Sequence, residues 1–188
     1  MIILGIDPGS RRTGYGLIVC QRTQIQYLAS GCITTLQPAA RQGSLGVLFE
    51  GLQTIIQQYQ PAEAAIEQIF CYRNPRSALI LGQARGVALL ALEQAALPIS
   101  DYASRQVKQM VVGYGAATKS QIQQMVQRLL KLPAAPQADA ADALAIAWCH
   151  AQCRRSVARI GLQHLQLSQS SRSVKSVWQK QLRAGRLR

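Results

Sequence analysis

Two apolar runs separated by one carboxylate constrain this chain more than any other feature. Met1 to Ile6 is an almost unbroken apolar run, and Gly14 to Cys20 is a second. Between them stands Asp7, followed at once by Pro8-Gly9. A short continuous apolar run bounded by such a turn signal reads as a strand buried on both faces. An Asp at the end of that strand is held on a rigid, mostly dry platform, where a carboxylate costs free energy unless it has a partner. Several converging carboxylates are most simply satisfied by a divalent cation, so the positions of the other acids decide the reading.

Acids are scarce. The chain has 8: Asp7, Glu50, Glu63, Glu67, Glu93, Asp101, Asp139 and Asp142. Glu67 follows Ala64-Ala65-Ile66 and precedes Ile69-Phe70, which places it on a second buried strand. Asp139 and Asp142, in the Ala-rich stretch ADAADALAIAWC, are spaced to share one face of a helix. Asp7, Glu67, Asp139 and Asp142 therefore sit in apolar surroundings within a chain whose formal charge is +13.

That charge points to a polyanionic partner, nucleic acid or an anionic membrane surface. Its distribution is uneven. No acid follows Asp142, whereas Arg154, Arg155, Arg159, Arg172, Lys175, Lys180, Arg183, Arg186 and Arg188 all do. The 188 residues suit one domain of ordinary size. We expect it to occupy residues 1–152, with 153–188 as a basic C-terminal tail, Ser-rich from Ser168 to Ser176 and weakly ordered. Met1 leads straight into a strand with no basic leader, and Arg85 and Glu93 interrupt the longest apolar segments, so we expect a cytoplasmic protein without a membrane span. Cys20, Cys32, Cys71, Cys149 and Cys153 are odd in number and lack zinc spacing, which fits free thiols in a reducing compartment. Cys149, His150 and Cys153 read as residues of a helix rather than as metal ligands.

The chain reads as strands at Ile2 to Asp7, Gly14 to Cys20 and Ile25 to Thr35, the last broken around Ser30-Gly31. Ser44 caps a helix from Leu45 to Tyr59, and Pro61 stops it. A strand at Ala64 to Ile69 leads into a polar loop, Phe70 to Arg76, and a long helix from Ser77 to about Ala96. Gly82 and Gly86 are poor helix formers that make sense if something packs closely on that face, either the sheet or a second subunit. Ile99 to Tyr102 is a fifth strand; helices follow at Ala103 to Val112 and Thr118 to Leu130, and a last one carries Asp139 and Asp142. The order implies an α/β domain with a mixed five-stranded sheet and helices on its faces.

Grouped carboxylates suit hard, oxygen-liking cations, Mg²⁺ above all. A pair of such ions clamps a phosphodiester for hydrolysis. A basic surface around an acidic hole is what a nuclease requires. Taken singly, each acid has a plainer meaning. Asp7 reads equally as a turn residue, and Asp139 as the cap of a helix favoured by its dipole. The conjunction carries the argument.

The segments LGIDPGSRRTGYGLI, AIEQIF, SALILGQARGVALL, ASRQVKQMVVGYG and LPAAPQADAADALAIA resemble, in order, those of the RuvC family of Holliday junction resolvases, over about residues 1 to 150. The resemblance implies a ribonuclease H-like fold, a homodimer and Mg²⁺-dependent cleavage of four-way junction DNA by paired symmetric nicks. It also implies two ions per subunit, which Mn²⁺ can replace, and the branch-migration proteins RuvA and RuvB as partners. Asp7, Glu67, Asp139 and Asp142 match the family's catalytic, metal-binding acids, with Asp7 bridging the ions. Lys108 and Lys119 match its basic residues beside the active site. Phe70 matches a loop aromatic that stacks on an unpaired base, and Arg73 and Arg76, in the same loop, are candidate phosphate contacts. The tail beyond residue 150 has no such match.

Two other classes fit less well. An actin-like ATPase also begins with a strand, an Asp and a phosphate-binding Gly turn, but needs two such lobes, and 188 residues are too few. A DNA-binding protein without catalysis has no use for all four acids.

Overall fold

A computed structural model describes residues 1–21, 24–35, 44–69 and 75–157. Five strands form one sheet in the order β3-β2-β1-β4-β5. They are β1 (Ile2–Asp7), β2 (Arg12–Gln21), β3 (Gln24–Thr34), β4 (Glu63–Glu67) and β5 (Ile99–Tyr102). β1 is central, antiparallel to β2 and parallel to β4, and β4 is parallel to β5. The sheet is therefore the mixed one expected, with β1, β2 and β3 as its antiparallel side.

The helices are α1 (Ser44–Tyr59), α2 (Pro75–Gln94), α3 (Ser104–Val112), α4 (Lys119–Leu129) and α5, spanning 138–157. The sheet positions its two faces by simple alternation. Leu4, Ile6, Leu17, Ala64 and Ile66 face one way and bury against Leu48, Leu52, Ile55 and Ile56 of α1 and Ala84, Ala88, Ala91 and Leu92 of α2. Gly5 and Asp7 alternate with Leu4 and Ile6 and so face the other way, as do Gly14 and Gly16, their cross-strand partners on β2.

That second face carries α5, which lies almost on the strand backbone. A Cβ on Gly16 would stand 2.7 Å from the Leu144 nitrogen, and one on Gly5 would stand 2.8 Å from the Ala147 nitrogen. A Cβ on Gly14 would overlap the Asp139 carbonyl. Only glycine permits this approach, and the buried Ala140, Ala143 and Ala147 keep the helix side equally thin. A buried polar group fastens α5 further along. His150 Nδ1 lies 2.9 Å from the Tyr102 hydroxyl at the end of β5, and its Nε2 lies 2.8 Å from Glu63 Oε2 at the start of β4. Burial lowers the imidazole pKa and so favours the neutral ring, in which the Glu63 contact is a hydrogen bond rather than an ion pair. Nε2–H then donates to the carboxylate, and the tyrosine hydroxyl donates to Nδ1. Cys149 is buried and Cys153 half-buried, and among the described residues no group of three His, Cys, Asp or Glu forms a metal cage.

Several expectations need correction. β3 is continuous through Ser30-Gly31; the irregularity falls where Leu17 pairs with Ala29 and Ile18 with Tyr27, leaving Leu28 as the extra residue of a bulge. β4 stops at Glu67, not Ile69, and α2 starts at Pro75 and ends at Gln94. Gly82 and Gly86 do not pack on the sheet: a Cβ on either meets nothing within 4 Å. The chain divides into units Met1–Ala151 and Gln152–Arg188. The second is described only to residue 157, where 153–157 continue the helix rather than open the weakly ordered tail expected from 153; the rest of that tail, 158–188, lies outside the described residues.

Candidate active site

Asp7 and Glu67 end the adjacent strands β1 and β4. Gly5 pairs with Ala65, and alternation puts Asp7 and Glu67 on the same face as those two, the face that α5 covers. α5 begins over Gly14, the cross-strand partner of Asp7. Its first two turns therefore deliver Asp139 and Asp142 beside the strand ends. All four acids line one cleft of about 370 Å³, with Ser10, Arg12, Lys108 and Lys119 among its other walls.

The electrostatics are those of a site short of positive charge. Burial, a hydrogen bond with the Glu67 side chain, and repulsion from Glu67 and Asp142 push the Asp7 pKa up to about 9. Burial also raises Asp142, opposed by the Lys119 ammonium and reinforced by Glu67. A cation bound between these carboxylates would offset their mutual repulsion. No three of the carboxylates close into a cage by themselves among the described residues. Carboxylate oxygens without His or Cys in the cleft lining nevertheless form the donor set of a hard divalent ion such as Mg²⁺. The residues present fit such an ion.

Cations stand at the rim. Lys119 is the first residue of α4, with its Nζ 3.6 Å from Asp142 Oδ2 and a side chain 70% exposed. A contact that open is screened and adds little stability. A lysine at a helix N-terminus is also unfavourable toward the dipole, whereas an incoming phosphate would meet both the ammonium and the helix end. The turn before it is fixed by a capping box. Gln121 N–H donates to the Thr118 hydroxyl at 3.3 Å, and Thr118 N–H donates to Gln121 Oε1 at 2.9 Å. Lys108, half-buried on α3, lines the same cleft.

Of the other residues expected at the site, Arg76 is exposed in the first turn of α2 and does not line the cleft. Phe70 and Arg73 lie outside the described residues. The sequence reading missed Ser10 and Arg12, although both stand in the PGSRRTG turn directly after Asp7. It also missed the glycine bed under α5, because a glycine's role there depends on what crosses it.

Known proteins resemble this chain closely. A family model described as crossover junction endodeoxyribonuclease RuvC matches residues 3–150. A protein of that description from Shewanella loihica is 56% identical over 160 residues, covering 85% of this chain and 92% of its own length. One from Yersinia pestis is 56% identical over 167 residues, covering 89% and 96%. Among solved structures, Thermus thermophilus RuvC in complex with Holliday junction substrate has a TM-score of 0.75 at 32% identity, covering 83% of this chain and 96% of its own.

Proposed function

The chain belongs to the RuvC family of crossover junction endodeoxyribonucleases, and from that premise we propose a mechanism for its resolution of four-way Holliday junctions in recombination and repair. It is a metal-dependent endonuclease of ribonuclease H-like fold. The observation that carries the mechanism is the single cleft shared by Asp7, Glu67, Asp139 and Asp142 beneath Lys108 and Lys119.

Those four acids are the catalytic set and would hold Mg²⁺, two ions per subunit with Mn²⁺ as a substitute. Bound there, such ions would supply activation of water and charge stabilisation for the leaving oxygen of the phosphodiester. The protein's own groups do the rest. Lys108 and Lys119 draw the strand toward a cleft that would otherwise repel it, and Ser10 and Arg12 stand where the incoming backbone would pass. Phe70 stacks on an unpaired base, a contact typically worth ~1–3 kcal/mol. Arg73 and Arg76 hold flanking phosphates.

We assign the working form as a homodimer. One stripe of α2, consisting of Leu79, Gly82, Gln83, Gly86 and Leu90, is exposed. Leu79 is 67% and Leu90 49% exposed, and the glycines leave room for a close neighbour. Two copies match the paired, symmetric cuts. The reading extends to RuvA and RuvB as partners and to action in the cytoplasm; among the described residues no helix is long and apolar enough to cross a membrane. Residues 1–152 form the nuclease domain, and the basic stretch 153–188 holds DNA without sequence preference. Deleting Ser168 to Arg188 should flatten the salt dependence of DNA affinity through lost counterion release; an unchanged slope removes that role.

The decisive experiment offers a synthetic four-way junction and a linear duplex of the same sequence, with Mg²⁺. Paired symmetric nicks in the junction alone support the mechanism. Asp7→Asn should bind the junction and not cut it, and retained cutting would contradict the role given to Asp7.

A further inference from the structure

We propose that Arg85 is a positioning residue that sets the aim of Glu67, an inference that rests on Glu67 being an ion ligand. Arg85 lies on α2 outside the carboxylate cleft, with its side chain 22% exposed. Its Nε–H donates to the backbone carbonyl of Glu67 at 3.2 Å, and its guanidinium pairs with the Asp101 carboxylate on β5. The N–H of Gln68 donates to the Tyr102 carbonyl at 2.9 Å. The carbonyl of Glu67 and the N–H of Gln68 belong to one planar peptide unit. That unit is thus gripped at both ends, by Arg85 on one side and by β5 on the other.

The location of this grip gives it a function. Glu67 is the last residue of β4, where the ladder stops. A terminal peptide held from one side only is free to rotate, and rotation swings the Glu67 carboxylate. Divalent Mg²⁺ tolerates little departure from octahedral geometry, so a carboxylate of uncertain aim binds it poorly. The planar fork of arginine suits the task, because it reaches a carbonyl and a carboxylate at once. Asp101 holds the far side of the fork and so fixes the direction of the near one.

The test uses the full chain with Arg85→Gln, Arg85→Lys and Asp101→Asn. It reads the Mg²⁺ concentration for half-maximal single-turnover nicking of a synthetic junction, the junction affinity in Ca²⁺, and the thermal midpoint. Arg85→Gln should raise the Mg²⁺ requirement by about 10-fold or more, the range for lost outer-shell partners, with junction affinity held within about twofold. Arg85→Lys should fall between, since an ammonium on a flexible stem lacks the rigid planar fork that meets both partners in fixed geometry. Asp101→Asn should shift the requirement the same way by less, and the double variant should be no worse than Arg85→Gln alone. An Arg85→Gln protein that loses only thermal midpoint, with its Mg²⁺ requirement unmoved, overturns the proposal. If that variant does not fold, an unmoved requirement in Asp101→Asn overturns it instead. Glu67→Gln, run in parallel, separates the two layers: retained nicking there refutes the ligand assignment itself.

Discussion

Replacing Gly16 by alanine should slow cleavage without touching any group in the cleft. The new Cβ would stand 2.7 Å from the Leu144 nitrogen, where ordinary contact begins at 3.4 Å, so α5 must retreat by about 0.7 Å. The obstructing atom is helix backbone and cannot swing aside. The same helix carries Asp139 and Asp142, while Asp7 and Glu67 stay with the strands, so the retreat opens the carboxylate set along one line. Misplacement near 1 Å costs on the order of 100-fold in rate; at about 0.7 Å we expect a loss of roughly 10- to 100-fold. Overpacking of this kind costs about 1–3 kcal/mol, which in a chain of this size lowers the thermal midpoint by roughly 2–12 °C. Gly14→Ala, which overlaps the Asp139 carbonyl itself, should be worse on both measures. Gly46→Ala is the control. Gly46 lies in α1 with nothing within 4 Å of its Cβ, so the change should leave the rate alone and stabilise by about 0.5–1 kcal/mol. Single-turnover nicking of a four-way junction, with thermal unfolding alongside, measures the series. A Gly16→Ala enzyme within about twofold of the parent rate would refute the claim that helix-to-strand contact sets the site.

Asp7 supplies a pH prediction. Its folded pKa of about 9 lies above the ordinary 3.8, so the folded protein binds more protons between those values, and ion-free stability should fall as pH rises through that window. Saturating Mg²⁺ should flatten the profile, and Asp7→Asn should remove this component and raise ion-free stability; an Asn variant with the parent's slope would contradict the assignment. His150 predicts the opposite direction. Its folded pKa is lowered, so stability should drop as pH falls below 6.5, and His150→Phe should remove that drop while costing about 1–3 kcal/mol from lost buried hydrogen bonds, as read by denaturant titration. Lys119→Ala should weaken junction binding and reduce the slope of log affinity against log salt by about 1, as for one lost phosphate contact. A slope equal to the parent's would place Lys119 outside the DNA path.

Much of the fold and the four acids were legible because burial writes itself plainly into sequence. A strand covered on both faces is apolar throughout, so Asp7 and Glu67 stand out as exceptions. Asp139 and Asp142 stand out in an alanine run for the same reason. The supports were not legible, because they depend on which elements cross. Gly5, Gly14 and Gly16 look like three ordinary glycines until α5 is laid across them. Arg85 and Asp101 are 16 residues apart on different elements, and nothing local pairs them. Gly82 and Gly86 suggested a close neighbour from sequence, but whether they face the sheet depended on which way α2 turned, and it turns them away from it. The break expected at Ser30-Gly31 failed because a glycine can sit in a continuous strand where a large ring, here Tyr15, fills its place.

The bed beneath α5 also bears on how such a sequence can drift. Most tight contacts tolerate change because one partner can shrink when the other grows. Here neither can: nothing is smaller than glycine on the strands, and the atoms they meet include helix backbone, the Ala147 nitrogen over Gly5 and the Leu144 nitrogen over Gly16, which no side-chain substitution trims. A substitution at this seam has no second-site remedy nearby, so we expect suppressors of Gly16→Ala to be rare and to arise, if at all, by displacing the whole helix.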